Sequence, residues 1–266
     1  MLKKIVVALI CGVISIGLIS CGSAADDKTD TLAQNEEKDV VLVDDEYVKI
    51  IYSGLDENNE TIPTLKLSIE NKTDQTFAVQ TEKVSADDSM VTTYFSESPA
   101  PGEKIDANLE LEEVEKGFNS VEGTFVLIDD NYDTLKEEPF KISLDDTAKI
   151  EKEDQKEETG VVIVDDDYAK ITYLGFAEES NMGPTLKLSV ENKTDKTFMI
   201  LTDQFYVDDK EIESMMSCDR VASGKKANAE LTLYADKDFK TVKGTFVLND
   251  EENNTIATEQ VEFEVQ

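Results

Sequence analysis

Apolar and polar residues alternate through much of this chain. In residues 64–70, Leu65, Leu67 and Ile69 would point to one side of an extended segment, with polar residues between them. Alternation with a period of two is typical of a strand that has one buried face and one solvated face. Similar alternating sets are Leu186, Leu188 and Val190; Phe140, Ile142 and Leu144; Val261, Phe263 and Val265; and Leu109 with Leu111. The pattern predicts an all-β protein.

One unit of sequence is written twice. Three segments return at a constant offset of 121 residues: VVLVDDEYVKIIY (40–52) as VVIVDDDYAKITY (161–173), PTLKLSIENKTDQTF (63–77) as PTLKLSVENKTDKTF (184–198), and GTFVL (123–127) at 244–248. This period is too long for a solenoid repeat and has the size of an independent domain. The chain is therefore predicted to be a tandem duplication.

Each repeat is predicted to hold seven or eight short strands in an immunoglobulin-like β-sandwich. Turns are predicted at Asn-Lys-Thr-Asp (71–74 and 192–195), at Pro101-Gly102 and at Ser223-Gly224. A short helix is predicted at 112–118, with a counterpart at 234–239. The predicted cores contain Leu65, Leu67, Ile69, Phe77, Leu109, Phe125 and Leu127 in the first repeat, and Leu186, Leu188, Val190, Phe198, Leu231, Phe246 and Leu248 in the second.

Composition sets the domain boundaries. The first sandwich is predicted at 40–146 and the second at 161–266, separated by a charge-rich linker at 147–160. The linker sequence is compatible with a short solvated helix or with an extended segment. Residues 21–39 are polar and lack periodicity, so we expect a disordered tether.

The N-terminal residues indicate where the protein is located. Lys3 and Lys4 precede an apolar stretch, residues 5–19, that is short for a membrane-spanning helix but has the length of a secretory h-region. It ends in Leu18-Ile19-Ser20-Cys21, which resembles a bacterial lipoprotein signal. The resemblance implies that residues 1–20 are removed and that Cys21 carries lipid, which places the chain on the outer face of the cell membrane. Ordinary secretion and an uncleaved anchor are the alternatives.

Charge narrows the range of partners. The sequence has 26 basic and 59 acidic residues, a formal net charge of −33. Such a charge repels nucleic acid and anionic lipid headgroups, so we expect neither as a partner. The membrane contact is expected through the lipid on Cys21. The sole arginine, Arg220, offers no bidentate arginine cluster for phosphates or carboxylates.

Histidine and tryptophan are absent from the sequence. Without histidine there is no Ser-His or Cys-His nucleophile pair and no His-containing zinc site. Cys11 would leave with the signal and Cys21 would carry lipid, so the remaining Cys218 has no disulfide partner in the mature chain. Cys218 is expected to be an inert, half-buried residue rather than a reactive thiol, because no histidine activates it. We predict no enzyme activity and no cofactor.

The repeats resemble a family of immunoglobulin-like domains of uncharacterised function that is common in lipoproteins and membrane-anchored proteins of Firmicutes. The likeness rests on the Asp-Asp-x-Tyr-x-Lys-Ile opening, the Leu-x-Leu-x-Val/Ile-Glu-Asn-Lys-Thr-Asp run, and the stretch from Met216-Ser217-Cys218-Asp219 to Gly224-Lys225-Lys226-Ala227-Asn228. The first repeat departs from that last stretch. The resemblance implies a cell-surface β-sandwich and supplies no catalytic residues.

Acidic doublets are the candidate chemical sites. Asp44 and Asp45, repeated as Asp165 and Asp166, are weak candidates for calcium, which binds six to eight oxygen ligands; a solvated loop is the favoured interpretation. The same alternatives apply to Asp87-Asp88 and Asp208-Asp209. The run Asp129-x-Asn131-x-Asp133 fails as a calcium loop, because Thr134 replaces the required glycine. The repeated Tyr47 and Tyr168 fit packing at a sandwich rim as well as binding.

These patterns predict a non-catalytic binding module for protein or envelope polymer. The alternative is a structural spacer or accessory subunit without a ligand of its own. A calcium-dependent module and an enzyme are less favoured. A binding module should show an exposed apolar patch or an uncovered strand edge in the same place on both repeats, whereas a spacer should not.

Overall fold

The computed structural model describes residues 39–265, except 57–58, 60, 113, 115–116, 145–159, 178–182, 219 and 237. The signal peptide, Cys21, nearly all of the tether and nearly all of the linker lie outside the described residues. The described residues form strands and no helix, which confirms the all-β prediction. They therefore include no helix that could cross a membrane.

Each repeat has nine strands among its described residues. In the first they are β1 (Val40–Asp44), β2 (Val48–Leu55), β3 (Thr64–Asn71), β4 (Ala78–Ala86), β5 (Ser89–Met90), β6 (Ser96–Glu97), β7 (Lys104–Glu110), β8 (Ser120–Ile128) and β9 (Thr134–Ser143). In the second they are β10 (Val161–Asp165), β11 (Ala169–Phe176), β12 (Thr185–Asn192), β13 (Phe198–Val207), β14 (Lys210–Ile212), β15 (Ser214–Ser217), β16 (Lys226–Leu233), β17 (Thr241–Asp250) and β18 (Thr255–Glu264).

Each repeat packs two sheets in a β-sandwich-like arrangement. The first repeat has one sheet in the order β1-β2-β3-β7, and β4, β5, β6, β8 and β9 form the other. The second repeat has β10-β11-β12-β16 and β14-β13-β17-β18. The repeats differ in one short strand, because β6 pairs with β4 whereas β15 pairs with β16. A single parallel bridge between Lys226 of β16 and Ser89 of β5 joins a sheet of one repeat to a sheet of the other.

All of the predicted core residues are buried, in two clusters. One cluster is drawn from Val43 to Ile142 and the other from Val164 to Phe263. The alternating strands supply them because their apolar side chains share one face of the sheet. Met90 of the first repeat packs at the margin of the second cluster.

The two cores differ by an exchange of phenylalanine and valine. Phe125 stacks on Phe140 at 4.3 Å between ring centroids, whereas its counterpart Phe246 packs against Phe205 at 5.3 Å. Phe205 occupies the place of Val84 in the first repeat, and Val261 occupies the place of Phe140. The exchange keeps the core volume constant, which is the kind of change that close-packed interiors tolerate best.

The predicted helices at 112–118 and 234–239 are wrong for the described residues. Glu112 donates its backbone N–H to the carbonyl of Thr92, and Tyr234 donates to Glu213, both at 2.9 Å. These backbone bonds reach another strand or loop instead of the next helical turn. A segment of about seven residues is also too short to repay helix nucleation, and Gly117 takes a positive φ of 92°.

The predicted turns after β3 and β12 are built on buried asparagines. Asn71 and Asn192 end their strands, and each side-chain oxygen accepts the backbone N–H and the hydroxyl of the threonine two residues later. This local bonding by an asparagine side chain fixes the turn in both repeats.

Candidate functional site

The acidic pair of the first repeat is held by lysines and backbone. Asp44 accepts a hydrogen bond from Lys72 and lies 3.6 Å from the ammonium of Lys49. Asp45 Oδ1 accepts the N–H groups of Tyr47 and Val48, each at 2.8 Å. The hydrogen bond from Lys72 is the main reason that the pKa of Asp44 is lowered. Both carboxylates are thus committed to groups of the chain itself.

Lys136 completes this arrangement. Its ammonium lies 2.5 Å from Asp45 Oδ2 and 2.7 Å from Glu138 Oε1, and 5.7 Å from the ring centroid of Tyr47. These bonds raise the pKa of Lys136 above its ordinary range, the bond to Asp45 most strongly. Burial opposes ionisation of Asp45, but Lys136 and the two backbone N–H groups outweigh it, so the pKa of Asp45 falls.

The second repeat lacks this lysine. Asp165 bonds Lys193, and Asp166 Oδ1 accepts N–H from Tyr168 and Ala169 at 2.7 and 2.9 Å. Ala257 stands where Lys136 stands in the first repeat. Glu259, the counterpart of Glu138, instead shares a hydrogen bond with Asp166. Burial, followed by that contact, raises the pKa of Glu259.

Three further aspartates, Asp87, Asp208 and Asp129, cap turns. Asp87 Oδ1 accepts the N–H groups of Asn119 and Ser120, and Asp208 does the same for Lys240 and Thr241, all at 3.0 Å. Asp129 closes the β8–β9 hairpin by accepting the N–H of Asn131 and that of Asp133. Within the described residues, no group of three or more acidic, cysteine or histidine side chains is arranged to hold a metal ion.

A pair of valines is exposed at the same place in each repeat. Val40 and Val41 of β1 are 46% and 52% exposed, and Val161 and Val162 of β10 are 47% and 49% exposed. Among the described strands, β1 pairs only with β2, and β10 only with β11, so both are edge strands. A register shift follows the exposed pair in both strands. We call these four residues the edge valines.

A cleft lies between the two repeats. It has a volume of about 890 Å³ and is lined by both repeats, including Tyr94, Thr93, Lys187, Arg220 and Asn228. Tyr94 is 83% exposed. Lys83, also in its wall, bonds Glu251 of the second repeat at 2.7 Å. The mixture of an exposed aromatic ring, amide and cations could bind a polar or peptide-like ligand.

The sequence-derived candidates and the exposed surfaces therefore differ. The doublets at 44–45 and 165–166 are engaged in ion pairs and hydrogen bonds, and Asp87 and Asp208 cap turns. Tyr47 packs at the margin of the first core, and half-buried Cys218 lines the cleft. The edge valines lie inside the repeated segment but were missed, because a strand reveals exposure only when its pairing is known. The sequence does signal them, because the second valine of each Val-Val pair breaks the strict alternation of apolar and polar residues.

No family model and no curated protein matches this sequence. A crystal structure of the YadV chaperone is similar over 76% of this chain and 92% of that chain, at 9% sequence identity and a TM-score of 0.25. A TM-score this low assigns neither fold nor function.

Proposed function

We propose that this chain is a lipoprotein on the outer face of the cell membrane and acts as a non-catalytic binding module for a protein or an envelope polymer. Residues 1–20 are the cleaved signal, and lipid on Cys21 anchors the tether. Two tandem immunoglobulin-like domains, 40–146 and 161–266, present the binding surfaces. The β-sandwich-like packing of both repeats supports this domain assignment.

The observation that carries the proposal is the repetition of the edge valines. An edge strand offers unpaired backbone groups, and apolar side chains beside it add a contact surface for an extended segment of a partner. A spacer needs no such surface, and here it occurs twice in the same place. Two equal sites on one tether raise the overall affinity for a repetitive or clustered target.

A capture experiment from native cell envelopes tests the binding role. The bait is the chain from Cys21 onward with Cys21→Ser, so that it stays free of lipid. We expect a partner on the unaltered bait and none on Val41→Lys/Val162→Lys. Leu201→Lys is the matched control, because Leu201 is 43% exposed and its counterpart in the first repeat is the polar Gln80.

The same capture experiment tests whether the partner binds in the cleft instead of at the edge valines. Tyr94→Ala removes the exposed ring of the cleft, and Tyr132→Ala removes a ring that is 90% exposed on the β8–β9 hairpin. Loss of the partner with Tyr94→Ala but not with the valine variants would place binding in the cleft and refute the edge-strand surface. Absence of any partner on the unaltered bait would refute the binding role and favour a spacer.

Attachment of lipid to Cys21 is tested separately. In cells, Cys21→Ser should move the protein from the membrane fraction to the medium and abolish labelling by radioactive palmitate. A labelled, membrane-bound Cys21→Ser variant would contradict lipidation at this residue.

A further inference from the structure

The two repeats meet through different surfaces. Lys225 of the second repeat places its ammonium 2.5 Å from Glu122 Oε1 and donates to the carbonyl of Asp87 at 2.7 Å. The backbone N–H of Lys226 donates to the carbonyl of Asp88 at 2.8 Å. We call the surface that contains Lys225 and Lys226 in the second repeat, and Glu103 and Lys104 in the first, the head. The surface that it contacts is the tail, which contains Asp87, Asp88 and Glu122 in the first repeat and Asp208, Asp209 and Lys243 in the second. We call the contact between the second head and the first tail the joint.

The head residues correspond by their hydrogen bonds and by the glycine before them, Gly102 or Gly224, which places them at an offset of 122 residues instead of 121. The carbonyl of Glu103 accepts from Asn71 N–H, and the carbonyl of Lys225 accepts from Asn192 N–H, at 2.9 and 2.8 Å. In the tails, Glu122 and Lys243 each precede the equivalent glycine of β8 and β17. The chain therefore uses one head and one tail, and a second head and tail remain at its two ends.

The remaining head and tail are accessible. Glu103 is exposed, whereas the Lys225 side chain keeps only 16% of its exposure. Among the described strands, β7 at the remaining head pairs only with β3, and β14 at the remaining tail pairs only with β13. Edge strands of this kind are templates for pairing with another chain.

Both charges are reversed at the remaining surfaces. The head that forms the joint has Lys225, whereas the remaining head has Glu103. The tail that forms the joint has Glu122, whereas the remaining tail has Lys243. A head and tail from the same repeat would place like charges together. The head of one repeat and the tail of the other place opposite charges together, which is the pattern that selects a pairing and rejects its alternatives.

We propose that the remaining head and tail bind one another between two copies of the chain, so that Glu103 of one copy faces Lys243 of the next. The contact is heterologous, and repeating it builds a linear array of alternating first and second repeats. The inference concerns the chain alone and holds whether or not the edge valines bind a partner.

The joint within the chain shows that such a tail residue can serve two partners. Glu122 holds Lys141 at 2.9 Å on the neighbouring strand and Lys225 across the joint. These bonds, that from Lys225 first, lower the pKa of Glu122. Lys243 already has two partners in its own repeat, Glu262 at 3.3 Å and Asp209 at 2.7 Å, and its side chain keeps 36% exposure for a third.

The contact between copies is expected to be weak. The joint within the chain is intramolecular, so an intrinsic affinity of about 1 mM is enough to close it. Glu211 takes the place of Met90 at the remaining tail, which removes an apolar contact. The net charge of −33 also repels two copies at low salt, while high salt screens the ion pair. Association should therefore be strongest at intermediate ionic strength.

Sedimentation velocity tests the proposal with the unlipidated chain from Cys21 onward, carrying Cys21→Ser, between about 10 μM and about 1 mM. The unaltered chain should gain mass with concentration, whereas Glu103→Lys and Lys243→Glu should each remain monomeric. A mixture of these two variants should associate again, because each then offers the charge that the other needs. Glu137→Lys, the same change at an exposed residue of β9, should associate like the unaltered chain.

Restored association in the mixture also shows that both variants are folded. The proposal is overturned if the unaltered chain is monomeric throughout, if either single variant associates normally, or if mixing the two restores nothing.

Discussion

The side-chain amide of Asn71 donates a hydrogen bond to the backbone carbonyl of Pro99 at 3.0 Å. It also donates to the carbonyl of Gln75 at 2.8 Å, while its oxygen accepts the two bonds from Thr73. The residue is 0% exposed, so all of its polar atoms are satisfied inside the protein. Asn192 repeats the arrangement with the carbonyl of Val221 at 2.8 Å.

Replacing either asparagine should destabilise the protein. Asn71→Ala or Asn192→Ala leaves buried carbonyl and N–H groups without their partners, at a cost of about 1–3 kcal/mol. Urea unfolding measures the change. Asn108→Ala, at an exposed position of β7, is the control and should stay within about 0.5 kcal/mol of the unaltered protein. Equal effects of Asn71→Ala and Asn108→Ala would contradict this account.

The glycines of β8 and β17 should respond unequally to alanine. A Cβ at Gly244 would lie 2.5 Å from a ring carbon of Phe205, whereas one at Gly123 would lie 3.0 Å from a methyl of Val84. Gly244→Ala is therefore expected to cost about 2–3 kcal/mol and Gly123→Ala about 1 kcal/mol, measured by urea unfolding.

A double variant identifies the cause of that difference. Phe205→Val gives the second repeat the side chain of Val84, so Gly244→Ala should cost less in its presence than alone. Such non-additivity is expected of residues in contact. Strictly additive effects of Gly244→Ala and Phe205→Val would show that the ring is not the obstacle.

The strands and cores could be predicted because they depend on local pattern. Leu65, Leu67 and Ile69 alternate with polar residues, and a strand places such residues on one face whatever its neighbours are. The helix prediction for 112–118 was wrong because Glu112 bonds the backbone of Thr92, which is distant in sequence. Glu103 and Lys243 were overlooked although their charge reversal is visible on comparing the repeats, because only the contact between Lys225 and Glu122 gives the reversal a meaning.

A lysine at position 257 should stabilise the second repeat and change its dependence on pH. Burial, and then Asp166, raises the pKa of Glu259, so the folded state binds this proton more tightly than the unfolded state. The stabilisation that protonated Glu259 provides is present at low pH. It is lost as pH rises from about 4.5, the ordinary glutamate value, through the pKa of Glu259 in the folded protein. Ala257→Lys would supply the cation that Lys136 supplies in the first repeat.

Asp166 acts in the opposite direction. Burial opposes its ionisation, but backbone N–H groups and Glu259 lower its pKa overall, so its contribution is lost as pH falls. The difference in Tm between Ala257→Lys and the unaltered protein reports how much the added cation stabilises the pair of Glu259 and Asp166. That difference should be larger at about pH 8 than at about pH 5. An equal difference at both values, or a lower Tm for the variant at pH 8, would refute the hydrogen bond between protonated Glu259 and Asp166.

Calcium should not stabilise the protein. Asp44 and Asp45, like Asp165 and Asp166, already bind lysines or backbone N–H groups, so a cation would have to displace them. Millimolar calcium chloride is expected to shift Tm by less than about 1 °C relative to sodium chloride of equal ionic strength. The sodium chloride control is needed because screening alone affects so acidic a chain. A calcium-specific rise in Tm would restore these residues as metal ligands.

The affinity of the captured partner for single-repeat variants tests most directly whether both repeats bind it. Val41→Lys and Val162→Lys each leave one set of edge valines intact, so each should weaken binding by at least about tenfold through lost avidity, and the double variant should abolish it. Surface plasmon resonance on the immobilised chain gives all four affinities. Undiminished binding by either single variant would contradict a shared role of the two repeats.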